Sequence, residues 1–150
     1  MSRDLGDGFE VDDDPARVDP VAVHRFLSEQ AYWALGRPYD RQERLIREAT
    51  RVVGVYKDGS QIGFARALSD YNSFVYLADV YVDPAFRGKG LGVELVREMV
   101  ENGPLAQRRW LLHTSDAHDL YRKFGFAEPD FKLMERPVQP PPGGDAGSAS

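Results

Sequence analysis

"VDPAFRGKGLGVELV", residues 82–96, runs from an apolar stretch through a proline, a pair of cations and a set of alternating glycines into a segment with helical spacing. After the glycines, Leu91, Leu95, Val96, Met99 and Val100 keep to one helical stripe until Asn102-Gly103-Pro104 stops it. Before them, "SFVYLADVYV" (73–82) is apolar on both strand faces apart from Asp79, as expected of a central strand covered on both sides. A strand, a bare turn and a helix in this order collect unpaired backbone amides at the positive end of a helix dipole. Such a place attracts anions.

Gly88, Gly90 and Gly92 remove side chains that would keep a bulky anion from the amides, and Arg87 and Lys89 add charge without crowding the main chain. A pyrophosphate fits this description. Two common nucleotide loops fail on spacing. A P-loop needs Gly-Lys-Ser/Thr, whereas Gly88-Lys89 is followed by Gly90. The dinucleotide pattern Gly-x-Gly-x-x-Gly meets Val93 when begun at Gly88 and Leu95 when begun at Gly90.

The flanking chain predicts an α/β domain. Asp19 can cap a helix begun by Pro20, with Val23, Phe26, Leu27, Ala31, Ala34 and Leu35 on its apolar stripe and Gly36 at its end. Pro38 separates it from a second helix carrying Leu45, Ile46 and Ala49. "RVVGVYKDGSQIGFARALSD" (51–70) reads as an antiparallel hairpin turning at Asp58-Gly59. "RRWLLHTS" (108–115) reads as a further buried strand, "AHDLYRKF" (117–124) as a helix closed by Gly125, and "FKLMERP" (131–137) as a last strand. "FEVDDDPARVD" (9–19) adds a short strand interrupted by Pro15. Residues 1–8 and the Pro, Gly and Ser-rich tail 137–150 are expected to be disordered, leaving one domain over 9–136.

Composition narrows the partners. The chain has 150 residues and a net charge of −5, which suits one globular domain and argues against the cationic surface that nucleic acid requires. It has no cysteine and only 3 histidines, so neither a disulfide framework nor a zinc motif is indicated, and no metal is expected. The acidic start "MSRDLGDGFEVDDD" is unlike a signal peptide, and no apolar run is long enough to span a bilayer. A cytoplasmic protein without membrane attachment is the expectation.

Arg87, Gly90 and Gly92 fill the pattern Arg-x-x-Gly-x-Gly, preceded by "LADVYVDPAF" (77–86). Together they resemble the acetyl-CoA signature of the GNAT superfamily of N-acetyltransferases. "HDLYRKFGF" (118–126) is similar to that superfamily's second conserved segment, a short helix with a tyrosine that ends in Gly-Phe. "AYWALGRPYD" (31–40) resembles the substrate-side helix pair of a bacterial subgroup. The likeness spans roughly residues 10–136. It implies a mixed twisted sheet of about six to seven strands, about four helices and a splayed central strand pair.

The resemblance also implies roles. Acetyl-CoA would lay its pyrophosphate on Arg87, Gly88, Lys89, Gly90, Leu91 and Gly92 and its pantetheine arm along the backbone of Val80, Tyr81 and Val82, with Thr114 near the cleft. Tyr121 matches the family tyrosine that protonates the departing thiolate; its ordinary pKa of about 10 keeps it protonated at neutral pH. Where some members carry a glutamate base, this chain has Tyr76, so Asp79, His113 and a water chain all stand as candidate bases. Tyr32, Trp33, Arg37, Phe64, Asp70 and Tyr71 are the expected acceptor pocket. Aromatics with Asp70 suit an ammonium and Arg37 suits a carboxylate, which points to a small amine or amino-acid-like acceptor. A protein N-terminus or lysine as acceptor, and an idle acyl-CoA-binding sensor or scaffold, are the alternatives. Homodimers are frequent in the superfamily.

Overall fold

A computed structural model of the chain describes residues 1–143. A sheet of 6 strands runs in chain order, β1 (Ser2–Gly6), β2 (Phe9–Asp12), β3 (Arg51–Lys57), β4 (Ser60–Ser69), β5 (Phe74–Val82) and β6 (Arg109–Leu111). Every neighbouring pair is antiparallel except β5 and β6, which are parallel and joined through a helical crossover. The helices are α1 (Pro20–Gln30), α2 (Tyr39–Arg47), α3 (Leu91–Val100) and α4 (His118–Arg122). No helix among the described residues is long and apolar enough to cross a membrane.

Strand alternation sorts the core into two layers. Val53, Val55, Ala65, Val75 and Leu77 pack against Leu91, Leu95, Met99 and Tyr121 on the face covered by α3 and α4. Val52, Phe64 and Tyr81 pack against Val23, Leu27, Ala31, Ala34 and Ile46 on the face covered by α1 and α2. Odd residues of β5 thus face α3 before Asp79, yet Tyr81 faces α1. The ladder explains the switch: Phe64 pairs with Tyr81 and Arg66 with Ala78, so β5 carries one extra residue there. Asp79 sits in this bulge with φ +53°, a left-handed conformation that Asp tolerates better than most residues.

Several elements differ from the sequence expectation. Residues 1–8, expected to be disordered, form a hairpin arm with β2, because Gly6, Asp7 and Gly8 all take positive φ and turn the chain back. Arg3 then fastens the arm to α3 through Glu94 at 2.8 Å and Glu98 at 3.0 Å. Helix α1 is capped by Asp19 as expected but stops at Gln30, and residues 32–36 are turns. The strand expected over 131–137 does not form: β6 is only 3 residues long and gives it no extended edge to pair with, and Phe131 and Met134 stay exposed. Of the tail expected to be disordered, residues 137–143 are exposed and outside helix and strand, and 144–150 lie beyond the described residues.

Candidate active site

β5 and β6 hold together only at Phe74, Val75 and Tyr76, which pair with Arg109, Trp110 and Leu111. Beyond Tyr76 the strands part, so "RRWLLHTS" contributes a strand much shorter than expected and Leu112, His113 and Thr114 become one wall of a cleft. The other wall is β5 from Leu77 to Val82, whose β6-facing edge is left without a strand partner. The cleft has a volume of about 970 Å³. The start of α3, residues 31–33 and Tyr121 of α4 close its ends.

At the floor, the turn Pro84–Phe86 is capped by Asp83 and delivers the chain into the glycine loop. Gly88 and Gly90 take φ of +80° and +74°, so they bend the backbone in ways other residues resist. Gly90 precedes α3 and supplies no side-chain cap, which leaves the first-turn amides of the helix without a protein acceptor at that end. Gly92 is different: it lies inside the helix, and a Cβ built on it would meet nothing within 4 Å. Protein packing does not require its bareness. Open space over uncapped amides is what a phosphate group needs.

Asp79 anchors the opposite end. Its Oδ1 accepts from Trp33 Nε1 at 2.8 Å, and its Oδ2 accepts from Arg66 Nε at 2.6 Å and Arg37 Nη1 at 2.9 Å. Burial alone would raise this carboxyl, but the charges of Arg66 and Arg37 and their hydrogen bonds outweigh it and hold the group below the usual carboxylate range. Arg37 Nη1 also donates to Gln42 Oε1 at 2.8 Å, tying α2 into the cluster.

Tyr121 is buried, lines the cleft and touches Phe126 edge to face. Burial, reinforced by Asp116, pushes its hydroxyl up to about 12. Across the cleft, Tyr76 Oη and His113 Nδ1 lie 2.5 Å apart, and His113 Nε2 lies 2.7 Å from Glu135 Oε2. With the ring's Nε2–H donated to Glu135, Nδ1 accepts the Tyr76 proton. Burial and the Glu135 charge raise the Tyr76 hydroxyl. Thr114 Oγ1 accepts from Ala117 N at 3.1 Å ahead of α4, and Tyr32 Oη accepts from Ser115 N at 3.1 Å, tying the turn after α1 to the His113 wall.

The cleft therefore gathers Tyr121, Asp79, His113, Thr114, Val80, Tyr81, Val82, Arg87, Gly88, Gly90, Leu91, Gly92, Tyr32, Trp33 and Arg37. Four expected residues lie elsewhere. Phe64 is wholly buried in the α1-facing core opposite Tyr81. Asp70 turns back on its own loop, accepting from Ser73 Oγ, Ser73 N and Asn72 N, which hold its carboxyl down at about 2. Tyr71 belongs to the same β4–β5 loop and faces a separate hollow near Arg51. Lys89 is exposed at the loop crest outside the cleft lining. Sequence reasoning missed Arg66 and Glu135. Arg66 was signalled as the one charge in the apolar run "IGFARAL", whereas nothing local marked Glu135.

Comparison with known proteins follows the same outline. A family model described as the acetyltransferase (GNAT) family matches residues 20–126. A candidate GNAT-family acetyltransferase of Xanthomonas campestris pv. campestris superposes with a TM-score of 0.78 at 41% identity, covering 87% of this chain and 93% of that one. A candidate acetyltransferase of Deinococcus radiodurans R1 gives 0.68 at 25% identity, with 89% and 92% covered. By sequence, a candidate acetyltransferase of Gibberella zeae is 26% identical over 142 residues, 80% of each chain.

Proposed function

The chain belongs to the acetyltransferase (GNAT) family, and from that premise we propose that it transfers the acetyl group of acetyl-CoA to the primary amine of a small molecule bound in the same cleft. The observation that carries this reading is the uncapped start of α3, with open space over Gly92, set beside the unpaired edge of β5. The amides from Gly88 to Gly92 and Arg87 would hold the pyrophosphate, Lys89 would add charge from the crest, and the Val80–Val82 backbone would pair with the pantetheine arm. Bound in this way, acetyl-CoA supplies the thioester carbonyl that the amine attacks.

The residues of the cleft divide the proton work. An alkylammonium must first lose a proton, and the departing thiolate gains by receiving one. Tyr121, protonated through the neutral range, is the donor to sulfur. For the base, the hydrogen bonds favour His113 over Asp79. Both Asp79 oxygens are occupied by Trp33 and two arginines, so this carboxylate positions the acceptor side of the cleft. Tyr76 passes its own proton to His113 Nδ1 as it takes one from the ammonium, and the imidazolium so formed faces the Glu135 carboxylate. The nitrogen–carbonyl bond forms, the carbon–sulfur bond breaks, the sulfur leaves with the proton of Tyr121, and the second proton shed by the acylated nitrogen restores that hydroxyl.

The test is thiol release from acetyl-CoA over a panel of primary amines, with the acetylated product weighed by mass spectrometry. Turnover with an N-acetyl product is expected. Tight CoA binding with no release on any amine would replace this reading with an acyl-CoA sensor.

A further inference from the structure

Arg66 is under-used by the protein. Among the described residues it donates only through Nε, to an Asp79 oxygen that it shares with Arg37. Its Nη1 is sealed from solvent without a hydrogen-bond partner, whereas its Nη2 donates to no protein group among the described residues and is not sealed. Two other arginines leave one nitrogen buried and unpartnered, but each is otherwise well served. Arg3 reaches two carboxylates, and Arg51 reaches Asp13 and the Glu98 carbonyl. Neither lines the cleft. Arg66 does, and there two guanidinium groups share one carboxylate.

A guanidinium does not shed its charge on burial, so the surplus positive charge persists. Asp116, the other carboxylate lining the cleft, hydrogen-bonds to neither arginine. The planar fork of Arg66, bound to Asp79 through Nε, keeps Nη2 for a second oxyanion. The sheet register also matters. Arg66 pairs with Ala78 and Leu68 with Tyr76, so Arg66 and Tyr76 stand on one face of the sheet as diagonal neighbours, and both line the cleft. One small molecule bearing an amine and an oxyanion can face both side chains.

We propose that the acceptor is a primary amine carrying an oxyanion, a carboxylate or phosphate, which seats on Nη2 of Arg66 beside Arg37 while the amine faces Tyr76. This rests on the acetyl-transfer reading and adds the acceptor's class to it. Asp79 then neutralises one of the two charges and aims the fork, so that the site accepts one anion and no more. The surplus charge that is unfavourable in the empty protein becomes the recognition element.

Matched acceptors decide the matter: glycine against methylamine, L-phenylalanine against phenethylamine, and phosphoethanolamine against ethanolamine. The anionic member of at least one pair should have a kcat/KM roughly 100-fold higher, and the carboxylate and phosphate pairs distinguish the two sources of the oxyanion. Arg66→Lys, folded and still binding CoA, should cut that preference to about tenfold or less, because an ammonium keeps the charge and loses the fork. Equal rates within every pair, or an undiminished preference in Arg66→Lys, would overturn the proposal. If no amine turns over, the transfer reading fails separately. The subsite is then judged by titrating wild-type protein labelled with nitrogen-15 arginine with the same glycine, phenylalanine and phosphoethanolamine. A shifted Arg66 Nε–H resonance supports it, and an unmoved one overturns it.

Discussion

Arg66 and Asp79 meet across the β4–β5 ladder at 2.6 Å, at the residue where β5 bulges, with side chains only 9% and 1% exposed. One contact thereby joins the strand irregularity, the charge cluster and the end of the cleft proposed for the acceptor. Removing the carboxylate would leave two guanidinium groups buried without their shared partner. Asp79→Asn should therefore lower unfolding free energy by about 3–5 kcal/mol, measured by urea titration. A fully stable Asp79→Asn would contradict the positioning role. The pH dependence has a fixed sign: the folded carboxyl lies below its ordinary 3.8, so its contribution is whole above about pH 4 and is lost as pH falls through the depressed value.

Gly90 and Gly92 should respond differently to alanine. Gly90→Ala forces a side chain into φ +74° and should cost about 1–2 kcal/mol of stability. Gly92→Ala sits in regular helix with nothing to strike, so stability should hold or rise by about 0.5 kcal/mol. CoA affinity, read by calorimetry, should nevertheless fall at least about tenfold in Gly92→Ala. Full CoA affinity in a stable Gly92→Ala would remove the glycine loop from the donor site.

Tyr121→Phe should leave CoA binding intact and slow kcat by roughly 10²-fold. With its hydroxyl pushed up to about 12, the wild-type enzyme should show no loss of kcat attributable to Tyr121 up to about pH 10. Undiminished turnover in Tyr121→Phe would assign the proton to another donor.

Tyr76 and His113 should behave as one unit. Tyr76→Phe and His113→Gln are each expected to lower kcat by roughly 10–10²-fold, with the double variant no slower than the worse single one. Multiplying losses would show that the two residues act separately.

The half of the cleft proposed for the donor was easy to single out because it lies in consecutive residues. Gly88 and Gly90 take backbone conformations that other residues resist, and Tyr121 lies in a short recognisable segment. The acceptor half was less legible because it is made by register. Asp79 stood out as an acid in an apolar strand, but whether it held a proton depended on Arg66 and Arg37, 13 and 42 residues away. Phe64 and Asp70 misled for different reasons: strand parity sends one into the core, and a local loop turn absorbs the other. The arm 1–8 was missed because its polar strand gains stability from an ion pair to α3 that no local pattern announces.

The three-residue ladder between β5 and β6 has a mechanical meaning. Antiparallel pairing consolidates β1 to β5 into one slab, whereas β6 and α4 hang from it by a short seam and by packing on α3. A ligand that lies along the open edge of β5 and touches the loop at Thr114 adds rungs where the polypeptide stops making them. Loading the cleft should stitch the loose flap to the slab, so that amides of residues 109–124 exchange with solvent more slowly in the loaded state than in the bare one.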